Sequence, residues 1–517
     1  MTAALDITTA QRKILLALLR QFIPGAVVWA YGSRVKWTAR PNSDLDIVVF
    51  TTPAQKALVS ELKDTLAESD LPFPVDIHIW DEIPERFHAI IRNEFVVLQD
   101  AEEKRLRTDL PEKWKFQSLR EAGVSLIDCD HRTPPAAETG YPYIAIPQLK
   151  HGHIDITNVR RITHEHFLEW TRKANPQEND VILSRRCNPG ETALVPAGLK
   201  CALGQNLVLL RADGSKIFPP FLRWILRGSD WWEQIGKFLN VGAIFDSLKC
   251  ADIPNFRLPI PPLAEQRAIA AVLGALDDKI ELNRRMNKTL ETQAQTIFKS
   301  WFVDATATKL PKGWREMPFT DTVEILGGGT PKTSISEYWN GDIPWFSVVD
   351  APQGSDVFVI NTEKKITQAG VDNSSTRVLP VGTTIISARG TVGKIALVGV
   401  PMAMNQSCYG LRGKAGAKGF HTYFATQALV STLLQHAHGS IFSTITQDTL
   451  AGVQVIEPPA AIVDEFEEKV APMMERIREN LFESRTLAAL RDALLPKLLS
   501  GELRVPLASI SQPTNTK

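Results

Sequence analysis

Three aspartates in the first hundred residues have the types and the spacing of a cation site. Asp44 and Asp46 are separated by one residue at the start of a β-branched run, and Asp76 lies in a later run of the same kind. Alternate residues of a strand share one face, so Asp44 and Asp46 can hold the same divalent cation. Gly32 and Ser33, with ten residues between Ser33 and Asp44, can admit and hydrogen-bond a phosphate. The pattern predicts Mg²⁺-dependent nucleotidyl transfer, with the aspartates as catalytic metal ligands and the Gly-Ser pair as the nucleotide-binding turn.

Regular elements must bring these residues together. The spacing of five apolar residues predicts an amphipathic helix: Ile14, Leu15, Leu18, Leu19 and Phe22. A strand over 26–31 would end at the Gly-Ser pair, and the next strand over 45–50 would carry Asp46. The site is therefore expected at the ends of neighbouring strands.

The stretches Tyr31-Gly-Ser-Arg34 and Ala39-Arg-Pro-Asn-Ser-Asp-Leu-Asp46 carry a family resemblance. Over about residues 10–100 the chain resembles the minimal nucleotidyltransferases of the polymerase-beta-like superfamily, including antitoxin-type members. The resemblance implies a small α/β domain that uses Mg²⁺. Trp37 departs from the family pattern, because glycine is usual at that position.

Most of the remaining chain is an internal repeat. Residues 111–304 and 311–501 run in parallel at an offset near 200. Each copy opens on a Pro-Lys-Trp-like segment, continues through short β-branched runs with turn residues between them, and reaches a Pro-Pro pair before a long polar helix. Two similar globular units, each followed by a helix, are therefore expected.

The two helices are predicted over 263–304 and 460–501, and the first would extend roughly 60 Å at about 1.5 Å per residue. Apolar residues recur with heptad spacing in both helices, which predicts a coiled-coil seam; they are Ile269, Leu273, Leu276, Ile280, Leu290, Ala294, Ile297 and Trp301, then Phe466, Met473, Ile477, Leu487, Leu494 and Leu498. Asn283, Asn287 and Asn480 fall inside this seam. A buried amide there specifies register at a cost in stability.

The stretch Leu258-Pro-Ile-Pro-Pro-Leu-Ala-Glu-Gln-Arg-Ala-Ile269, followed by Leu276-Asp-Asp-Lys-Ile280, is the most specific part of the repeat. With two globular units and two long helices, residues 111–505 resemble the specificity subunit of type I restriction-modification enzymes. The resemblance implies target-recognition domains that each read a short DNA half-site, and helices that set the gap between half-sites. It also implies methylase and restriction subunits as partners, which would carry S-adenosylmethionine and ATP.

In such domains, base edges and phosphates are contacted by polar residues beside strand ends. The expected DNA-binding residues are Arg185, Arg186, Gln205 and Asn206 in the first unit and Thr330, Lys332, Arg389, Lys394, Asn405 and Gln406 in the second. Their individual roles with base or phosphate are not separated by the sequence. Because the two units have diverged, a bipartite, asymmetric target in double-stranded DNA is expected.

The composition of the chain limits the kinds of surface, thiol chemistry and location that we expect. Lys plus Arg equals Asp plus Glu at 58 each, so a basic DNA-binding surface must be local. The five cysteines form no Cys-x-x-Cys pair, and no apolar run reaches the roughly 18 to 20 residues that span a bilayer. We expect reduced thiols, a cytoplasmic location and no membrane partner.

The predicted fold is α+β and multidomain: a nucleotidyltransferase-like domain at 1–105, recognition domains at 111–262 and 310–459, antiparallel spacer helices at 263–304 and 460–501, and a disordered tail at 502–517. Two other interpretations stay open. The chain could be a Mg²⁺-dependent nucleotidyltransferase whose C-terminal part recruits its substrate, or a coiled-coil scaffold whose paired units bind other proteins.

Overall fold

The computed structural model describes residues 5–23, 26–40, 43–51, 53–84, 87–88, 91, 95–99, 110–240, 246–352, 356–414, 419–436 and 444–506. These residues form two compact units. The N-terminal compact unit contains residues up to 125 together with 215–217 and 251–262. The C-terminal compact unit contains 126–214, 218–250 and the chain from 263 onward.

A four-stranded sheet and two helices make up the first hundred residues. The elements are α1 (Thr9–Phe22), β1 (Val27–Tyr31), β2 (Leu45–Phe50), α2 (Pro53–Ala67), β3 (Val75–Ile79) and β4 (Val96–Gln99). The strand order is β3-β2-β1-β4, with β2 and β3 parallel and the other pairs antiparallel. Helix α1 begins with a capping box between Thr8 and Gln11. One face of the sheet packs on both helices through residues such as Leu19, Ile47 and Leu62.

The first repeat unit, residues 111–262, is built from short strands and helices. They are β5 (Lys115–Ser118), β6 (Val124–Asp128), β7 (Tyr141–Ile144), β8 (Leu149–Lys150), β9 (His153–Ile154), β10 (Arg161–Ile162), α3 (His164–Thr171), β11 (Val181–Ser184), β12 (Thr192–Leu194), β13 (Ala202–Leu203), β14 (Leu207–Ala212), α4 (Pro219–Ile225), α5 (Ser229–Phe238) and β15 (Arg257–Ile260). Strand β11 is buried at every residue. It therefore reads as a continuous apolar run rather than an alternating one.

Between this unit and the next lies α6 (Leu263–Phe298), and α11 (Ala460–Leu499) ends the described helices. The second repeat unit, residues 310–459, contains β16 (Arg315–Pro318), α7 (Phe319–Thr322), β17 (Val323–Gly327), β18 (Trp339–Phe346), β19 (Phe358–Val359), β20 (Lys365–Ile366), α8 (Gln368–Asp372), β21 (Thr384–Ser387), β22 (Ile395–Val398), β23 (Ala403–Met404), β24 (Cys408–Gly413), α9 (Gly419–His436), α10 (Gln447–Ala451) and β25 (Gln454–Glu457).

The two repeat units share the topology of their matched strands, although in the described residues β19 extends the larger sheet of the second unit without a named counterpart in the first. In the first, β11 lies between antiparallel β12 and β14, and in the second β21 lies between antiparallel β22 and β24. A second sheet pairs β7 with antiparallel β10 and parallel β13, matched by β18 with antiparallel β20 and parallel β23. The mixture of parallel and antiparallel pairs recurs in the same order. The repeat predicted from the sequence is therefore a repeat of the fold.

Helices α6 and α11 pack side by side and run antiparallel. Asp277 contacts Arg491, Asn287 contacts Asn480, and Phe298 contacts Phe466, so residue numbers rise along one helix as they fall along the other. The α-helical hydrogen bonding of α6 stops at Phe298, followed by a π-helical turn at Lys299–Val303 and a 3₁₀ turn at Asp304–Thr306. The segment predicted as one helix over 263–304 is therefore helical but changes type near its end.

The heptad prediction for these helices is correct at some positions, including Asn283 and Asn287 near the middle, and wrong at others, including Ile297 and Trp301 near the end. Ile269, Leu273 and Ala294 are buried as predicted, whereas Leu276 and Leu290 are only half-buried. Asn283 and Asn287 are buried at the seam positions predicted for them, and Asp277 and Glu291 are buried in addition. A straight α-helix drifts by about 20° per heptad, so single positions of a strict 3.5-residue series turn partly away from the contact line. The centre of the helix pair is accordingly polar.

Residues at the predicted tail also depart from expectation. Arg504 donates to Glu265 at 2.6 Å and the Leu503 amide donates to the Lys497 carbonyl at 2.9 Å, so residues 502–506 are ordered. Residues 507–517 lie outside the described residues. Each of the five cysteines, all within the described part, is a free thiol. Among the described helices, none combines the length and the apolar character needed to cross a membrane.

Candidate functional site

The three N-terminal aspartates meet at one end of the sheet. In the register of the paired strands, Asp46 of β2 lies beside Asp76 of β3 on one side and Tyr31 of β1 on the other. Asp44 immediately precedes β2. One carboxylate oxygen from each aspartate lies within 4.8 Å of the others. The chain therefore presents three oxygen ligands to one point, the donor set that Mg²⁺ prefers.

The electrostatics of this cluster are unfavourable without a cation. Burial raises the pKa of Asp46, and the neighbouring carboxylates of Asp44 and Asp76 raise it further. Burial and the same three carboxylates raise the pKa of Tyr31 to about 12. Like charges at this separation disfavour each other's ionisation. A bound divalent cation would reverse that effect, so the residues fit the metal that the sequence pattern predicts.

Gly32 is required by the geometry of the turn that follows β1. Its φ is +82°, and a Cβ at this position would overlap Oδ2 of Asp46 and lie 3.0 Å from its Cγ. Only glycine fits both the backbone conformation and the close approach. Ser33 follows, and its carbonyl accepts the amide of Thr38 at 3.0 Å. The predicted nucleotide-binding pair thus lies directly beside the carboxylates.

Arg34 braces this turn and was not among the predicted site residues. Its guanidinium donates to the Ser43 carbonyl at 2.7 and 3.1 Å and to the Asp6 carbonyl at 2.9 Å. It also covers the ring of Phe73 at 4.0 Å. These bonds tie the glycine turn to the segment that leads into Asp44. Its position in the Tyr31-Gly-Ser-Arg34 motif is the feature of the sequence that could have identified it as a site residue.

Trp37 adopts a left-handed conformation, with φ at +57°, which glycine adopts easily. Its side chain is 61% exposed. The ring therefore lies at the surface of the turn and does not belong to the core. The backbone strain of a non-glycine residue here is of order 1 kcal/mol.

The DNA-binding residues predicted in the first repeat unit surround one turn. Asn206 has φ +72°, and its carbonyl accepts the Arg185 amide at 2.9 Å, which brings the end of β11 beside the start of β14. The Arg185 guanidinium donates to the Leu248 carbonyl at 3.2 Å. Arg186 and Gln205 are exposed. The four predicted residues therefore lie around the same turn. The Arg185 side chain is hydrogen-bonded within its own unit, and the side chains of Arg186 and Gln205 are accessible.

The second unit presents a matching turn. Thr330 and Gln406 are hydrogen-bonded through their side chains, and both are exposed. The Asn405 side chain accepts the Ser407 amide at 3.0 Å, so it shapes the turn. Further exposed cations in this unit are Lys332, Arg389 and Lys394.

The pairing of Thr330 with Gln406 has a counterpart that the sequence reasoning missed. In the first unit Gln205 donates to Thr133 at 3.1 Å. Thr133 precedes Pro134 as Thr330 precedes Pro331, at the offset of the repeat. This match of the two Thr-Pro pairs is the feature of the sequence that could have predicted the contact. Each unit thus joins a Thr-Pro loop to its turn by one exposed polar pair.

The predicted register asparagines lie in the helix interface. The Asn480 side chain donates to Oδ1 of Asn287 at 2.8 Å, and both residues are almost fully buried. Asn283 instead donates to Glu483 at 2.8 Å and to Ser484 at 3.2 Å. A shift of one helix along the other would break these bonds in a buried place, so the amides specify one register.

The Glu-Gln-Arg motif at the start of α6 contacts the first repeat unit at Phe218. Gln266 is fully buried, and its side-chain oxygen accepts the Phe218 amide at 2.8 Å, at the N-terminus of α4. Arg267 lies over the Phe218 ring at 4.4 Å. In the second copy Glu467 of α11 accepts the His421 amide at 2.7 Å, near the N-terminus of α9. Each long helix therefore caps a helix of one repeat unit with a side-chain oxygen.

Comparison with known proteins agrees with this division. The family "Type I restriction modification DNA specificity domain" matches residues 111–292 and 311–482, more than half of the chain, and "Polymerase beta, Nucleotidyltransferase" matches 17–104. The Type I restriction enzyme HindI specificity subunit of Haemophilus influenzae is 22% identical, over 68% of this chain and 91% of that protein. The probable protein adenylyltransferase MntA of the same species is 41% identical, over 19% of this chain and 89% of that protein. A crystal structure of a type I restriction-modification S subunit from M. genitalium matches with TM-score 0.47 and 15% identity, over 76% of this chain and 97% of that one.

Proposed function

The chain belongs to the type I restriction modification DNA specificity domain family, and from that premise we propose that it binds a bipartite, gapped target in double-stranded DNA, one half-site in each repeat unit. The observation that carries the proposal is a strand topology repeated in two units, with an exposed Thr-Gln pair at the matched turn of each and different residues around it, such as Lys332 where the first unit has Pro135. Equivalent folds present equivalent surfaces, and different side chains on them read different bases. The repeat units are called recognition domains 1 and 2 below.

The helix pair supplies the gap. Helix α6 has 36 residues, which extend about 54 Å at about 1.5 Å per residue. Its buried asparagines allow one register with α11. Two half-site readers carried by such a pair would lie at a set separation along a duplex. Lengthening both helices by whole turns should change the gap and leave the half-sites unchanged.

Methyl transfer and cleavage are proposed for partner subunits, a methylase and a restriction subunit. S-adenosylmethionine and ATP would bind those partners. The support is family membership and the sequence, which contains no Gly-x-x-x-x-Gly-Lys-Ser/Thr phosphate loop and no Asn/Asp-Pro-Pro-Tyr methylase motif.

The N-terminal domain is proposed as an accessory nucleotidyltransferase. Asp44, Asp46 and Asp76 would hold Mg²⁺, which when bound orients phosphates and activates a hydroxyl nucleophile. Gly32 leaves space beside Asp46, and Ser33 can donate to a phosphate from the turn. Arg34 keeps that turn in place. The domain's match to nucleotidyltransferases supports this role.

One experiment separates the proposal from its main alternative, a nucleotidyltransferase whose C-terminal part recruits its substrate. The full chain with its methylase partner should methylate a gapped target, and Asp46→Asn should leave that activity unchanged because the carboxylate cluster lies outside the recognition domains. Arg389→Ala should weaken DNA binding across sequences and reduce its salt dependence. Glu61→Gln, an exposed change away from both sites, is the control. Loss of methylation in Asp46→Asn would favour the alternative, and salt-independent or absent DNA binding would favour a protein scaffold.

A further inference from the structure

A single buried carboxylate joins recognition domain 1 to both long helices. Asp277 of α6 is 2% exposed. Its Oδ1 accepts from Arg491 of α11 at 2.6 Å, and its Oδ2 accepts from Arg223 of α4. The imidazole of His153, on β9 of the same domain, lies 3.2 Å from that second oxygen. One oxygen thus binds the helix pair and the other binds the domain.

The surroundings make this contact costly to disturb. Arg223 and Arg491 are each 9% exposed. Burial, and then the nearby Arg227, lower the pKa of Arg223 to about 10, so it is charged at neutral pH. Burial, followed by the arginines, lowers the pKa of His153 to about 4, which leaves it neutral there. Without Asp277, Arg223 would lose the carboxylate with which it pairs in a buried place, and Arg491 would keep its ion pair with Asp492; removing one partner of a buried ion pair is strongly destabilising.

The position that corresponds to this contact at the other end of the helix pair is apolar. The offset of 197 residues between α6 and α11 places Asp277 at Met474 and Arg491 at Ala294. Both are fully buried and belong to one apolar cluster with Phe424 of recognition domain 2. Apolar contacts are non-directional, whereas charge-assisted hydrogen bonds hold their partners at set distances and angles. Recognition domain 2 also makes directional contacts with the helices, from Glu467 to the His421 amide and from Gln295 to Gln427, but the position that matches Asp277 is occupied by an apolar residue.

We propose that Asp277 is a positioning residue that fixes the orientation of recognition domain 1 on the helix pair, and that the separation of the two half-sites depends on it. This rests on the proposed function, in which the domains read half-sites at a set gap. Arg223 and Arg491 act with Asp277 as one unit, because each binds a different oxygen of the same carboxylate. At the matching position, Met474 packs in an apolar cluster with recognition domain 2 and supplies no directional contact of this kind.

The test measures how the methylation rate depends on the gap between the two half-sites, and not only how tightly DNA binds. The wild-type chain, assembled with its methylase partner, first methylates a random-sequence duplex library, which identifies the target and its gap. Methylation rates are then measured on that target and on duplexes with the gap one base pair longer or shorter. In Asp277→Asn the rate ratio between the preferred and altered gaps should fall by about tenfold, equivalent to about 1.4 kcal/mol. The bases read in each half-site should not change.

A second variant covers the case in which Asp277→Asn does not fold. Arg223→Leu, Asp277→Met and Arg491→Ala together copy the apolar character of the other junction, and apolar replacement of a buried ionic triad is often neutral or stabilising. This triple variant should unfold at a temperature close to wild type and still lose gap discrimination. Met474→Leu, a conservative change at the apolar junction, is the matched control and should keep it.

The outcomes separate two failures. If the triple variant folds and keeps the wild-type gap discrimination, the inference about Asp277 is overturned while the proposed function stands. If the wild-type complex itself shows no gap preference, the proposed function fails and the inference fails with it. Loss of discrimination in Met474→Leu to the same extent would also overturn the inference, because the two junctions would then be equivalent.

Discussion

Replacing Asp46 with asparagine should stabilise the metal-free N-terminal domain and abolish its response to Mg²⁺. Three carboxylate oxygens lie within 4.8 Å of one another. At that separation two unit charges repel by about 1 to 3 kcal/mol between the dielectric limits of water and a protein surface. Exposure of Asp44 and Asp76 places the value at the lower end, about 1 kcal/mol per pair. Removing one charge should therefore raise the free energy of unfolding by about 1–2 kcal/mol.

With Mg²⁺ the order of the two stabilities should reverse, because the cation stabilises the wild-type protein and not Asp46→Asn. A ligand at 100 times its dissociation constant stabilises the folded state by about 2.7 kcal/mol. For a domain of about 100 residues, each kcal/mol shifts the melting temperature by about 4–8 °C. Wild type should thus gain on the order of 10–20 °C with Mg²⁺, and Asp46→Asn should gain nothing.

The pH dependence has a definite direction. Burial, with Asp44 and Asp76, raises the pKa of Asp46, so the folded state holds that proton more tightly than the unfolded chain. The stability of the metal-free domain should therefore decrease as pH rises from the ordinary carboxyl pKa through the raised pKa of Asp46. At pH values above that range, saturating Mg²⁺ should restore the stability that the metal-free domain loses.

Differential scanning calorimetry of the intact chain, with and without Mg²⁺, measures both effects on the transition that responds to the cation. Glu61→Gln removes one exposed carboxylate from α2 and serves as the charge-matched control. It should leave the Mg²⁺ response intact. The reasoning is refuted if metal-free Asp46→Asn melts below wild type, or if it still gains stability from Mg²⁺.

Three further substitutions test contacts described above. Gly32→Ala would force a Cβ onto the Asp46 carboxylate, so Mg²⁺ binding measured by calorimetry should weaken at least about tenfold, and unchanged affinity would contradict the close approach. Asn480→Ala leaves Oδ1 of Asn287 without its donor in a buried site, which should cost about 1–3 kcal/mol in denaturant unfolding. Changing both residues to leucine should recover stability, and a single variant as stable as wild type would show that the pair contributes little. Gln266→Ala removes the acceptor for the half-buried Phe218 amide, which directly precedes α4, and should lower the unfolding free energy by about 1–3 kcal/mol. An equal loss in half-exposed Gln295→Ala would argue against a specific cap.

The sequence determined those features that depend on local periodicity. The spacing of Leu15 and Leu19 predicted α1, the strand over 45–50 has the predicted bounds, and the repeat predicted two units with one fold. Asp44, Asp46 and Asp76 were predicted as one site because side-chain alternation along a strand follows from backbone geometry alone. The register that sets Asp46 beside Asp76 also needed the parallel pairing of β2 and β3.

Only the tertiary structure decided the contacts between distant segments. Asp277 and Arg491 are 214 residues apart, and nothing in the local pattern of α6 or α11 marks them as partners. A heptad series expects apolar residues in a seam, so it passed over the buried Asp277 and favoured Leu276. The burial of a charge is decided by which groups surround it from every side, and those groups here come from three separate parts of the chain. The orientation of recognition domain 1 therefore depends on an interaction that becomes visible only once the helices are packed.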